Sequence, residues 1–247
     1  VFIVSDTQKF DQINLSINDI STYQTDKYWI AEGSKGLRSI QRKGSNSFEA
    51  LNEPIILDGP YSNSAFDIVC KNDKVYMIIG GKDLLNGKRF DKGGYILTYD
   101  YDKWSFIDPK EAQKKLNLPR NPRDYTSIAV TTDDSNDEIV YASSMGDGVI
   151  QYKNGTPVQS YNEKNAFKET AGGYGSGYCY IDGLAFDKNG NLWMTSSEVN
   201  HAVLVLDKAG AWHRLDIEQL RGVYTINDIL ITSTNDKWIY VPRNTPK

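Results

Sequence analysis

Histidine, cysteine and methionine are scarce in this chain: its 247 residues include only two, two and three of them. The histidines, His201 and His213, fall on opposite sides of one predicted strand with no cysteine nearby. Neither a zinc site nor a serine or cysteine triad can be assembled from them, so no catalytic residue, metal or cofactor is expected. Cys70 and Cys179 lie in segments too far apart for one bridge, and two buried thiols are expected instead of a disulfide. No apolar run is long enough to span a bilayer, and the opening VFIV is too short for a signal peptide and lacks its charged flank. A basic face is missing too. The net charge is -4 with both signs interspersed, which argues against nucleic acid or an anionic lipid surface as partner.

What the chain does have is a repeat. The blocks INDISTYQTDKYWIA from Ile17, IDGLAFDKNGNLWMT from Ile181 and INDILITSTNDKWIY from Ile226 share Asn or Asp at the second position, an apolar residue at the fourth and Trp at the thirteenth, namely Trp29, Trp193 and Trp238. Looser copies, AFDIVCKNDKVYMI and YTSIAVTTDDSNDEIVYAS, carry Tyr76 and Tyr141 at the Trp position. Each block reads as strand, tight polar turn, strand, because β-branched and aromatic residues flank turn formers such as KNGN and TNDK.

A second pair of short strands follows four of the five blocks: Gly36 to Gln41 with Phe48 to Leu51, Tyr95 to Asp100 with Trp104 to Ile107, Val149 to Tyr152 with Val158 to Tyr161, and Ala202 to Leu206 with Trp212 to Ile217. The anchoring aromatics stand 47, 65, 52 and 45 residues apart. Four short strands every ~40 to 50 residues mark an all-β fold, a β-propeller of four-stranded blades, here one domain over residues 1–247. The anchors are expected to close the cores between blades, with Trp193 as a core residue. Val1 to Val4 and Phe10 to Leu15 are expected to complete the fifth blade by strand complementation, unless the chain is part of a larger seven-bladed ring.

In such a fold the loops entering the first strand of each blade and those between second and third strands share the face at the channel mouth. Every long loop falls there: Asn52 to Ser64, Gly80 to Gly94, Asp108 to Arg123 and Asn162 to Cys179. Long loops are costly to order and usually functional. Asp108, Pro109 and Glu111 predict a short capped helix to Leu116. The ligand-binding candidates are Tyr174, Tyr178, Arg120, Arg123, Tyr125 and Arg89: tyrosines to stack on sugar rings, arginines to hold carboxylate or phosphate. Asp187, Asn189 and Asn191 imitate the start of a calcium loop, but no Glu follows at the twelfth position and a hairpin turn is expected. Asn18, Asp67, Asp182 and Asn227, at the heads of the inner strands, are expected to form a polar ring that hydrogen-bonds neighbouring blades.

The block GLAFDKNGNLWMTSS is similar to the two-component-regulator propeller repeat of Bacteroidetes periplasmic sensors. The order GP at Gly59 and Pro60, YASSMGDGVIQYKNG, SYNEKN, IDGLAFDKNGNLWM and VLVLDKAGAWHRL resembles the PorZ-like propeller proteins of the Por (type IX) secretion system. It covers about two thirds of the chain, from Pro54 through Ile217. The resemblance implies a non-enzymatic protein outside the cytoplasm, in the periplasm, at the outer membrane or on the cell surface, binding lipopolysaccharide, another glycan or an envelope protein partner. The matched motifs are turns and strand anchors, so no functional residue is carried over. Fewer blades than the family's full rings, and no sorting domain, suggest one piece of a longer protein. Two other readings are carried: a periplasmic sensor domain of a hybrid two-component system recognising a polysaccharide product, and a propeller lactonase or lyase.

Overall fold

The structure is a computed structural model that describes residues 2–6, 9–12, 19–32, 36–56, 58–167 and 177–242. The chain divides into two compact units, Val1–Gly59 and Pro60–Lys247.

In the first unit, β1 (Phe2–Asp6) pairs with β2 (Lys9–Gln12) as a two-stranded sheet. The strands β3 (Asp19–Gln24), β4 (Lys27–Ala31), β5 (Leu37–Gly44) and β6 (Ser47–Ala50) form an antiparallel meander, the first blade. Tyr28, Ile30 and Ile40 bury one face against Ile20 and Phe48.

The second unit repeats this blade. The second blade is β7 (Ala65–Lys71), β8 (Lys74–Ile79), β9 (Ile96–Asp100) and β10 (Lys103–Ile107). After the helix α1 (Pro109–Leu116) comes the third, β11 (Tyr125–Thr132), β12 (Glu138–Gly146), β13 (Gly148–Lys153) and β14 (Thr156–Tyr161). The fourth is β15 (Cys179–Phe186), β16 (Leu192–Ser196), β17 (Val203–Leu206) and β18 (Trp212–Leu215). A hairpin of β19 (Asp228–Ile231) and β20 (Lys237–Tyr240) follows. The fold is therefore all-β and built of four-stranded propeller blades, as the repeat predicts. Among the described residues β19 and β20 pair as a sheet of two.

Strand register confirms the repeat residue by residue. Trp29 faces Ser21, Tyr76 faces Val69, Tyr141 faces Ala129, Trp193 faces Ala185 and Trp238 faces Leu230. One correction follows. Two residues before each partner stand Asp19, Asp67, Ser127, Gly183 and Asp228, so Asp67 belongs with Asp19 and Asp228 and not with Asp182 and Asn227. A one-residue slip exchanges the faces of a strand.

The alternation of side chains divides each blade between its two neighbours. Tyr76, Ile78 and Ile96 of the second blade meet Ile128, Val130, Val140, Ala142 and Ile150 of the third. On the other face of the third blade, Ile139, Tyr141 and Val149 meet Ile181, Leu184, Leu192, Met194 and Leu204 of the fourth. Trp193 points away from that core and is only half-buried. Its indole Nε1 donates to Asp187 at 3.0 Å, and Lys237 Nζ of the fifth hairpin lies 4.7 Å from the ring centroid. Trp29 and Trp238 are 36% and 66% exposed. The anchors thus share a register position, while only Tyr76 and Tyr141 are buried. The expectation of two buried thiols also needs correcting. Cys179 is buried, and that burial pushes its thiol up to about 12, but Cys70, on the face of β7 turned away from the third blade, is exposed.

The turns are as local as the sequence suggests. Asp187 Oδ1 accepts from Asn189 N and Asn191 N, both at 2.9 Å, and its Oδ2 accepts from Asn191 Nδ2 and Trp193 Nε1, both at 3.0 Å. With four N–H donors on the carboxylate, the calcium-like DKNGN segment is a hairpin turn. Burial alone would raise the Asp187 carboxyl, but these donors, led by the Trp193 indole, hold it below its ordinary value. Asp133, Asp207 and Thr232 anchor the matching turns by accepting backbone N–H groups.

Candidate functional site

In the second unit the loop after β8 and the loop before β11 meet Tyr178, which stands just ahead of β15. The loop after β8 is tied to the segment before β11 by bridges from Gly80 to Tyr125 and from Gly93 to Arg123. Asp124 N donates to Lys92 O at 2.9 Å, and the Asp124 carboxylate accepts from Lys92 N at 2.9 Å. The loop before β11 opens with α1, whose N-cap Asp108 accepts from Lys110 N at 2.9 Å. Pro109 fills the first turn, where a missing N–H costs nothing. The helix ends at Asn117 in the left-handed conformation, and Leu118 N donates back to Gln113 O at 3.0 Å.

These loops bring Arg89, Arg120 and Tyr178 together. The Arg89 guanidinium donates to the Tyr178 hydroxyl and, through Nε at 3.0 Å, to Asp124. The guanidinium carbons of Arg89 and Arg120 lie 5.7 Å and 5.6 Å from the Tyr178 ring centroid. Arg120 is held from the other side by Asp147, with Nη2 at 2.7 Å and Nε at 2.8 Å from one carboxylate oxygen. The ring of Tyr178 passes over Gly146, where an added Cβ would stand 3.1 Å from it, and meets Tyr180 edge-on at 5.4 Å. Burial opposes the charge of Arg89, but its hydrogen bond to Asp124 and the field of nearby acids outweigh it and raise its pKa. Arg123 is fixed by its backbone, donating N–H to Asp147 at 3.1 Å while its carbonyl accepts from Ser144 Oγ at 2.7 Å. Its side chain is exposed, with no ion pair among the described residues.

Sequence reasoning therefore found three residues of this cluster and the neighbouring Arg123, and it misplaced one candidate. Tyr125 is the first residue of β11, not a loop residue, and alternation sends it inward. It is 0% exposed, its hydroxyl lies 2.6 Å from that of Tyr152, and burial raises its pKa well above the ordinary value. It is a core residue. Tyr178 is engaged by two guanidiniums, so it orients the arginines where stacking on sugar was expected. Tyr174 lies outside the described residues. The residues that organise the cluster, Asp124 and Asp147, were missed, since a loop aspartate normally reads as solvated. The available signal was the setting of Asp147 between Gly146 and Gly148, both at positive φ.

The polar ring is partly as expected. Asp67 Oδ2 accepts from Ser127 Oγ and Ile128 N of the next blade, both at 3.0 Å. Asp182 is buried, accepts from Ser197 Oγ at 2.5 Å and pairs with Lys82. Lys82 is buried and also donates to Ile226 O at 3.2 Å. Burial raises the Asp182 carboxyl, with Lys82 pulling in the opposite direction. Asn18 lies outside the described residues.

Comparison with known proteins places the fold. No family model matches the sequence, and no curated protein matches it. Among solved structures, PorZ, a bacterial surface component of the type-IX secretion system of Porphyromonas gingivalis, superposes with a TM-score of 0.67 at 20% identity over 100% of this chain and 32% of its own. The extracellular domain assigned to a hybrid two-component system of B. thetaiotaomicron gives 0.46 at 16% identity over 94% of this chain and 27% of its own. The chain thus spans about a third of PorZ. At this identity the similarity to PorZ is one of fold. Among the described residues no helix is long and apolar enough to cross a membrane.

Proposed function

We propose that the chain is a binding module, not an enzyme, of a cell-envelope protein, and that its channel-mouth face holds an acidic glycan such as lipopolysaccharide. The observation that carries this reading is the meeting of two long loops and Tyr178 that sets Arg89 and Arg120 against one ring, with Arg123 close by in sequence on the loop that carries Arg120. Arg89 and Arg120 are preorganised by Tyr178 and one aspartate each, which cuts the ordering cost of binding, and Arg123 is left to meet a carboxylate or phosphate. A net charge of -4 with local cationic groups favours an anionic ligand recognised at close range over steering by a broad field. A place in the periplasm, at the outer membrane or on the cell surface is part of the same proposal, supported by the PorZ-like fold.

Binding of lipopolysaccharide and of acidic oligosaccharides by wild type and by Arg120→Ala/Arg123→Ala tests it. The double variant should lose binding, and wild-type binding should weaken as salt rises. Alanine changes in the short opposite turns should have no effect. Binding that survives the arginine variant, or no binding by wild type, sinks the reading; in the second case an envelope protein becomes the better partner.

A further inference from the structure

The turn-side end of the interface between the third and fourth blades holds a cleft of about 680 Å³. It lies apart from the channel-mouth residues, and its existence has a local cause. At the interface between second and third blades, the corresponding space is plugged and divided by Glu138, which accepts from Lys74 Nζ at 2.8 Å and from the Tyr76 hydroxyl at 2.5 Å and lines with Lys74 two smaller clefts of about 230 and 500 Å³. Glu138 stands three residues before its anchor Tyr141, and in the fourth blade Gly190 stands three before Trp193. The plug is missing. Across the cleft, Ile139 takes the register of Lys74 and offers no charge to recruit one.

The cleft's walls suit one class of ligand. Its apolar side is aromatic: Tyr161 and Trp212 meet edge-on at 5.4 Å, and Tyr141 and Phe186 at 5.9 Å. Tyr161, Trp212 and Phe186 are only half-buried, which leaves ring surface toward the opening. The rim is polar and balanced, with Asp133, Asp134 and Asp207 against Lys153, Lys188 and Lys208. Most of these charges are already engaged. Lys153 lies 2.8 Å from both Asp133 and Asp137, and Asp207 lies 2.7 Å from His213 Nε2. Gln151, which accepts from the Tyr161 hydroxyl at 2.8 Å, and Asn189 add amide groups. A volume in the usual ligand range, aromatic surface and neutral hydrogen-bonding groups are what a pyranose, with its apolar C–H face and ring of hydroxyls, requires. We infer that this inter-blade cleft is a second binding site, for a neutral sugar unit of one or two rings.

Saturation-transfer NMR with cellobiose, lactose and maltose as probes tests the assignment. At least one should bind wild type at millimolar concentration, with saturation on its ring protons and no dependence on salt. Trp212→Ala should weaken it ~10-fold or more. Because Trp212 also packs edge-on against Phe167 at 5.4 Å, a second variant is needed. Gly190→Asn fills the cleft's edge: Asn tolerates the φ of +83°, and the nearest atom to the new Cβ is a methylene of the flexible Lys208 at 3.7 Å. It should also weaken binding ~10-fold. Lys103→Ala, on the exposed face of β10 and away from both sites, should leave sugar binding unchanged. Binding by none of the three sugars, survival of binding in a folded Gly190→Asn protein, or loss of binding in Lys103→Ala overturns the inference. The absence of a salt effect separates this site from the arginine cluster.

Discussion

Between the second and third blades an acid from one blade reaches a lysine and a tyrosine of the other and divides the space into two smaller clefts; between the third and fourth, the same three register positions hold Gly190, Ile139 and Tyr141 and one undivided cleft results. Both interfaces are otherwise built alike, with the second-strand aromatic Tyr76 or Tyr141 buried against the following blade. A repeat therefore fixes where side chains meet but not whether the meeting is filled. Stability sits in the shared apolar layers, and individuality sits at the turn-side end, where one residue decides between a cleft divided by an ion pair and one left open.

The largest effect expected within this comparison is on the shared layer. Met194 is buried to 0% exposure in the core between third and fourth blades, so Met194→Ala should destabilise by about 2 to 5 kcal/mol in denaturant unfolding. A loss near zero would mean that the cleft already lets this interface relax.

Next comes the plug. Glu138→Ala leaves the Lys74 ammonium and the Tyr76 hydroxyl without their acceptor, while solvent reaches part of the ion pair, whose side chains are 23% and 24% exposed. A cost of about 1 to 2 kcal/mol is expected. Glu138→Gln, which keeps an acceptor oxygen, should recover part of it. Equal losses in both variants would assign the effect to charge alone.

Acid sensitivity gives a smaller effect. The Asp187 carboxyl is held below its ordinary value of 3.8, so the folded protein binds its proton more weakly than the unfolded chain does. The stabilisation is fully present above that value and is lost as pH falls through the lower folded one. Asp187→Asn should remove this part of the acid slope and, at neutral pH, cost about 1 kcal/mol for the lost acceptor of the Trp193 indole. An unchanged acid slope would show that the turn is not coupled to unfolding.

Much of this was legible in the sequence, for definable reasons. The period and the Asp-anchored turns are local, so Asp133, Asp187 and Asp207 could be read with their strands. Loop length alone pointed to Arg89, Arg120, Arg123 and Tyr178. What failed depended on non-local or single-residue detail. Tyr125 was placed on the binding face although it opens a strand block, because which way the first residue of β11 points is set by the bend at Asp124, whose φ is 48°. Asp67 was assigned to the wrong face by one position, and that position is invisible until Val69 is paired with Tyr76. The exposure of Trp238 could not be read from the motif it shares with Trp193, since a motif specifies the residue and the neighbouring blade specifies its burial.

That last contrast, whose Trp238 arm carries the smallest expected effect, separates two accounts of why the repeat uses an aromatic here. If the aromatic stabilises its own hairpin, Trp193→Ala and Trp238→Ala should cost the same, because each ring faces the equivalent partner, Ala185 or Leu230, across its strand pair. If it acts through the next blade, the costs should part. Trp193 is half-buried, donates to Asp187 and lies beneath Lys237, an arrangement that should lose about 1 to 3 kcal/mol on truncation. Trp238 is 66% exposed, so its loss should stay within about 0.5 kcal/mol. Unfolding of the two variants side by side decides it: matching losses would make the anchor a hairpin device, and the expected gap would make it an interface residue whose worth is set by the blade that covers it.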